Sequence, residues 1–146
     1  MAHMPISTYQ MTMVHQDVGT GTGSATAGTT LATFYPPVEG YLVRAAVEIT
    51  VDIDPGSTVA GAIALYYNTT EIGALTLSAS QDKGMFINIP VNTTVAKQRL
   101  DPSVPIYLKM KTRPTGGTVA GSVNCWLTVE EDPVQDTATG YGYYGT

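Results

Sequence analysis

Apolar and polar positions alternate along most of this chain, the period of a strand whose two faces meet different surroundings. One stretch is written almost twice: GSTVAGAIALYY, residues 56–67, returns as GGTVAGSVNCWL, residues 116–127. Val59, Ile63, Leu65 and Tyr67 share one face of the first copy, and Val119, Val123, Cys125, Leu127 and Val129 share one face of the second. The opposite faces carry Ala60, Ala62, Ala64 and Tyr66, then Ala120, Ser122, Asn124, Trp126 and Thr128, so Tyr66 and Trp126 are counterparts. Each copy follows another strand, 41–53 or 104–112, through a turn built on Asp54-Pro55-Gly56 or Arg113-Pro114-Thr115-Gly116. The pattern predicts two like hairpins. The buried set is odd-numbered in the first approach (Val43, Ala45, Val47, Ile49, Val51, Ile53) and even-numbered in the second (Ile106, Leu108, Met110). The two turns therefore differ in length by about one residue.

Further strands are expected at 31–35, 72–78 and 85–91, with Gly and Pro punctuating the chain. Such a rhythm belongs to an all-β fold: an antiparallel, jelly-roll-like or Greek-key β-sandwich, with an extended N-terminal arm and a C-terminal tail. The best helical turn, 94–100, is short. Pro102 and Pro105 cannot donate to a ladder, so the strand that follows begins at Ile106 and is expected toward an edge.

Three regions follow: an arm over 1–30, a sandwich over 31–131 and a Tyr- and Gly-rich tail over 132–146. The stretch 19–30, GTGTGSATAGTT, has too little apolar surface to order alone. Within the arm, Tyr9, Met11 and Met13 alternate with polar residues, so 7–15 reads as a strand with an apolar side to bury. It can add to a partner's sheet edge or serve as an extra edge strand of its own sheet. In the tail, Tyr141, Tyr143 and Tyr144 offer aromatic contact area to a partner, or stay disordered.

At 146 residues the chain is one domain that buries roughly 68–70% of its unfolded surface. Its single cysteine, Cys125, lies on an apolar strand face and reads as a buried, inert thiol. MAHMPISTYQMTMVHQ lacks a cationic leader and an apolar run, and no stretch approaches membrane-spanning length. The expectation is a soluble protein made in a cytoplasm, with no membrane partner; the sequons at Asn68 and Asn92 read as chance.

Net charge is -5 at pH 7. Basic residues cluster late, with Lys109, Lys111 and Arg113 on the solvent side of one strand; acidic ones include Glu48, Asp52, Asp54 and 130–132. These are solvated faces or cross-strand pairs, or else complementary surfaces between copies of the molecule. An acidic chain with one short basic strip releases few counterions, so nucleic acid is not an expected partner.

Catalytic chemistry finds little support. His3 and His15 are remote from Cys125 and from the carboxylates, and GTGTG at 19–23 lacks a following helix and lysine. Asp52-Ile53-Asp54-Pro55-Gly56 is a fragment of a calcium loop without its later ligands, read as a plain turn. No enzyme, cofactor or metal is expected. Tyr66, Tyr107 and Trp126 fall on outer faces, where aromatic rings form a subunit interface, lie under an arm or hold a sugar ring.

One resemblance bears on these options. Gly40 to Val47 supplies a Gly-x-x-x-x-Ala-x-Val strand, a Pro-Gly turn leads to Tyr66-Tyr67-Asn68-Thr69-Thr70-Glu71-Ile72, and 106–129 closes with strand, Gly/Thr turn and strand. This core resembles a β-sandwich domain common among structural proteins of tailed bacteriophages, departing from it where Asn68-Thr69 replaces the usual Asn-Gly. With a short body and arms at both ends, the chain is similar to capsid decoration, or cement, proteins. The resemblance implies a homotrimer on the capsid exterior that clamps the major capsid protein. The alternative is a carbohydrate- or receptor-binding head of a tail fibre or spike.

Overall fold

The computed structural model describes residues 8–17, 28–52, 61–77, 81–92, 99–113 and 122–131. Eight strands follow in chain order: β1 (Thr8–Asp17), β2 (Thr30–Phe34), β3 (Gly40–Val51), β4 (Gly61–Tyr67), β5 (Thr70–Leu77), β6 (Phe86–Asn88), β7 (Ile106–Thr112) and β8 (Ser122–Glu131). They form two four-stranded antiparallel sheets, β1-β8-β3-β6 and β2-β7-β4-β5. No helix lies among the described residues. Most of the expected helical turn, the corner at Asp54 and the whole tail fall outside them.

The pairing has a simple rule. β1 pairs with β8, β2 with β7, β3 with β6 and β4 with β5, as in one long hairpin whose tip is Asn68-Thr69. Contacts of β8 with β3 and of β7 with β4 wrap that hairpin into two sheets. At the tip Asn68 adopts a left-handed φ of 56°, which asparagine tolerates better than most residues. Its N–H donates to the Pro105 carbonyl at 3.0 Å.

The two expected hairpins do not form. β3 and β4 belong to different sheets, as do β7 and β8. The strands on either side of each Pro- or Gly-bearing link thus lie in different layers, and the two units interlock: the first strand of one pairs with the second strand of the other. Ala45, Val47 and Ile49 face Leu127, Cys125 and Val123. In the other sheet Ile106, Leu108 and Met110 face Tyr67, Leu65 and Ile63. Exchanging β3 with β7 and β4 with β8 maps one set onto the other, residue for residue. The near-repeat thus encodes two equivalent halves of a core, and the one-residue difference in approach length is present as expected.

The core lies between the sheets. The first sheet contributes Leu42, Ala45, Val47, Ile49, Val123, Cys125, Leu127 and Val129; the second contributes Phe34, Ile63, Leu65, Ile72, Leu77, Ile106, Leu108 and Met110. Each fully buried aliphatic side chain of this kind stabilises the fold by about 1.5–3 kcal/mol. Strict alternation fails at both ends of β3. Val43 and Val51, expected inside, are 50% and 41% exposed, and Leu42 is buried instead. Register shifts between Leu42 and Arg44 and between Ile49 and Val51 account for this, because an extra residue in one strand reverses which face the next side chain takes.

Two other expectations change. β7 is interior to its sheet, flanked by β2 and β4. Pro102 and Pro105 precede it, so its ladder loses no donor. Thr8–Asp17, placed by the sequence in the arm, pairs with β8 of the same chain. Its register sets Tyr9, Met11 and Met13 opposite the buried Val129, Leu127 and Cys125. Of the two fates open to this strand, the structure has the edge strand of the chain's own sheet, which covers a β8 edge that would otherwise present unpaired backbone groups.

Candidate functional site

Each sheet has an outer face that carries an aromatic pair, and one member of each pair, Tyr66 or Trp126, stands at a position the repeat makes equivalent. On the second sheet Tyr66 of β4 stands directly opposite Tyr107 of β7. Lys109, two residues along the same face of β7, lays its Nζ 5.2 Å from both ring centroids. An ammonium so placed is held by the ring quadrupoles for about 0.5–1 kcal/mol at an exposed position. The Tyr66 hydroxyl donates to Glu71 Oε1 at 3.3 Å, and Lys111 Nζ pairs with the same oxygen at 2.9 Å. Hydrogen bonding to Glu71, and then its charge, raise the Lys111 pKa above its ordinary value. The second face therefore satisfies its own aromatics and charges.

The first sheet differs. Trp126 of β8 faces Ala46 of β3 across the ladder, and Phe86 of β6 approaches the indole with ring centroids 6.0 Å apart and planes tilted by 42°. A pit of about 180 Å³ opens between Trp126, Phe86, Ala46, Arg44, Thr128 and Gln10. Arg44 donates from Nε to Asn88 Oδ1 at 3.2 Å, which orients its guanidinium. Glu48 accepts from Asn124 Nδ2 at 3.5 Å. The indole Nε1 of Trp126 is buried with no hydrogen-bond partner.

Beside this face, toward the β6 edge, Val43, Met85 and Phe86 are exposed, the last at 54%. A shallow groove of about 350 Å³ runs here past Val43, Ala45, Ile89 and Val91. β6 is three residues long and covers only the middle of β3.

The structure brings together Tyr66, Tyr107, Lys109 and Lys111, and sets Trp126 on the opposite face of the molecule. Arg113 follows β7 and is half-buried. Tyr9 is half-buried on β1. Of Met11 and Met13 only the backbone is described, and Tyr141, Tyr143 and Tyr144 lie outside the described residues. Sequence reasoning did not single out Phe86, Arg44, Ala46 or Gln10. Phe86 carried a usable signal, a large apolar residue on the polar phase of 85–91; the others acquire meaning only through pairing of distant strands.

Cys125 is buried, and burial pushes its thiol up to about 12, a thiol rather than the nucleophilic thiolate at neutral pH. Among the described residues no three His, Cys, Asp or Glu side chains converge on a metal position, and no helix is long and apolar enough to cross a membrane. Asp52 of the expected turn accepts the Lys83 N–H at 2.6 Å. Compared with known proteins, the chain matches no family model and shows no significant similarity to a curated protein.

Proposed function

We propose that this chain is a non-enzymatic structural protein of a bacteriophage virion, a decoration or cement protein that assembles with its own copies on the capsid exterior and clamps major capsid subunits. The observation that carries the reading is the apolar β3–β6 margin: Val43, Met85 and Phe86 stand open beside a three-residue edge strand. Large apolar side chains gathered at a short, incompletely covered edge are what a docking surface needs, and a monomer gains nothing by exposing them. The strand order supports it as well. We read 1-8-3-6 and 2-7-4-5 as a jelly roll, a rigid body of the kind capsid proteins use. Repeated on a shell, each weak margin contact acts at high effective concentration, so many copies stiffen the lattice together.

Light scattering on the purified chain and electron imaging of capsids with and without it test the reading. The expected results are a trimer and added density on the capsid exterior. Val43→Asp with Met85→Asp should abolish both while leaving the thermal unfolding midpoint within a few degrees. A monomer at micromolar concentration that leaves capsids undecorated defeats the proposal.

A further inference from the structure

The two outer faces are built on one scaffold and finished differently, and the difference opens a site. Under the exchange that maps β3 onto β7 and β4 onto β8, Tyr66 corresponds to Trp126, Tyr107 to Ala46, and Lys109 to Glu48. On the second sheet the tyrosine fills the space beside Tyr66, and the lysine lies over both rings. On the first, alanine leaves that space empty, and it is lined instead by Trp126 and by Phe86 from β6. Glu48, which no ring quadrupole attracts, turns to Asn124.

We propose that this pit binds a saccharide, taking one neutral pyranose ring. An aromatic wall against which the apolar side of the ring stacks, opposed by a few polar groups that fix orientation, is the composition of a small-ligand site. Here the wall is Trp126 and Phe86, and the polar groups are the guanidinium of Arg44, the amide of Gln10 and the hydroxyl of Thr128. These groups include donors and acceptors, as a ring of hydroxyls requires. The occupant is neutral because the one charged side chain of the lining, Arg44, already donates from Nε to Asn88 Oδ1. Its size follows from the volume of about 180 Å³, which suits one ring. The pit lies within the sheet face rather than on an edge, so an added strand cannot enter it.

Trp126 is the single tryptophan of the chain, so intrinsic fluorescence reads the pit directly. The full chain is titrated with the methyl glycosides of glucose, galactose, mannose and N-acetylglucosamine. At least one is expected to change the emission saturably at millimolar concentration. Phe86→Ala should weaken that ligand about tenfold, and Ala46→Tyr, which copies the second face, should abolish binding with the fold retained by circular dichroism. Phe86 is exposed, so its removal keeps the test valid if the tyrosine variant does not fold. The proposal is overturned if no glycoside alters the emission, if both variants bind like the parent, or if diluting the protein alone shifts the emission, the mark of a second copy in the pit. None of these outcomes depends on capsid binding, so each proposal stands or falls separately.

Discussion

Cys125 illustrates how much one position inherits from its strand. It sits on the inner face of β8 between Val123 and Leu127, fully buried, and burial pushes its thiol from 9.0 to about 12. The unfolded chain releases this proton near its ordinary value and the folded chain does not, so the contribution to stability is intact below pH 9 and is lost as pH rises from 9 toward 12. Ellman's reagent should leave the native protein unlabelled at pH 8 and label one thiol in urea. Fast native labelling would mean that β8 is not sealed. Asp101 shows the opposite direction: the Ser103 N–H and then its hydroxyl, each at 2.8 Å, hold the carboxyl below its usual range, so that its contribution fades as pH falls through the lowered value. At this scale the alternation in the sequence was informative. Val47, Ile49, Ile63, Leu65, Leu108 and Met110 are all inside, as their parity says. Val43, Leu42 and Val51 were not legible, because a bulge is set by the partner strand's register and leaves no local mark.

At the scale of elements, every strand except its pairing could be read. A Pro-Gly link looks the same whether the next strand returns beside the last or crosses to the other layer, and only burial of both inner faces selects the second. The pit on the first sheet was invisible for the same reason: Trp126 meets Ala46 and Phe86 through strands far apart in sequence. β1 repays particular attention. It forms the outer edge of the first sheet, and its alternate residues Tyr9, Met11 and Met13 stand in register with the buried row Val129, Leu127 and Cys125. Removing residues 1–17 should therefore lower the urea midpoint and make Cys125 react with Ellman's reagent under native conditions. A truncated chain as stable and as unreactive as the parent would show that β1 adds nothing to the body.

For the whole molecule, the interlocking of the two repeat units means that neither half owns a core. β3 and β4 pair with β8 and β7, never with each other. Residues 1–92 and 93–146, produced separately, are expected to give coil-like circular dichroism spectra and to acquire β signal when mixed. A cooperative thermal transition in either fragment alone would contradict the interlocked arrangement. The same symmetry explains why the outer faces can diverge. The buried rows preserve the scaffold, while Tyr107 and Ala46 are free to finish one face closed and the other open.

The rule that pairs first strand with last also bears on how the molecule is made. Thr8–Asp17 has no partner until Ser122–Glu131 has been synthesised, an interval on the order of ten seconds at about 5–20 residues per second on a ribosome. Throughout it the growing chain exposes unmatched edges and cannot mature piece by piece, since closure must await the final strand and then bridge nearly its full length. A message cut short before β8 leaves Thr8–Asp17 without its ladder partner and one side of β3 unpaired.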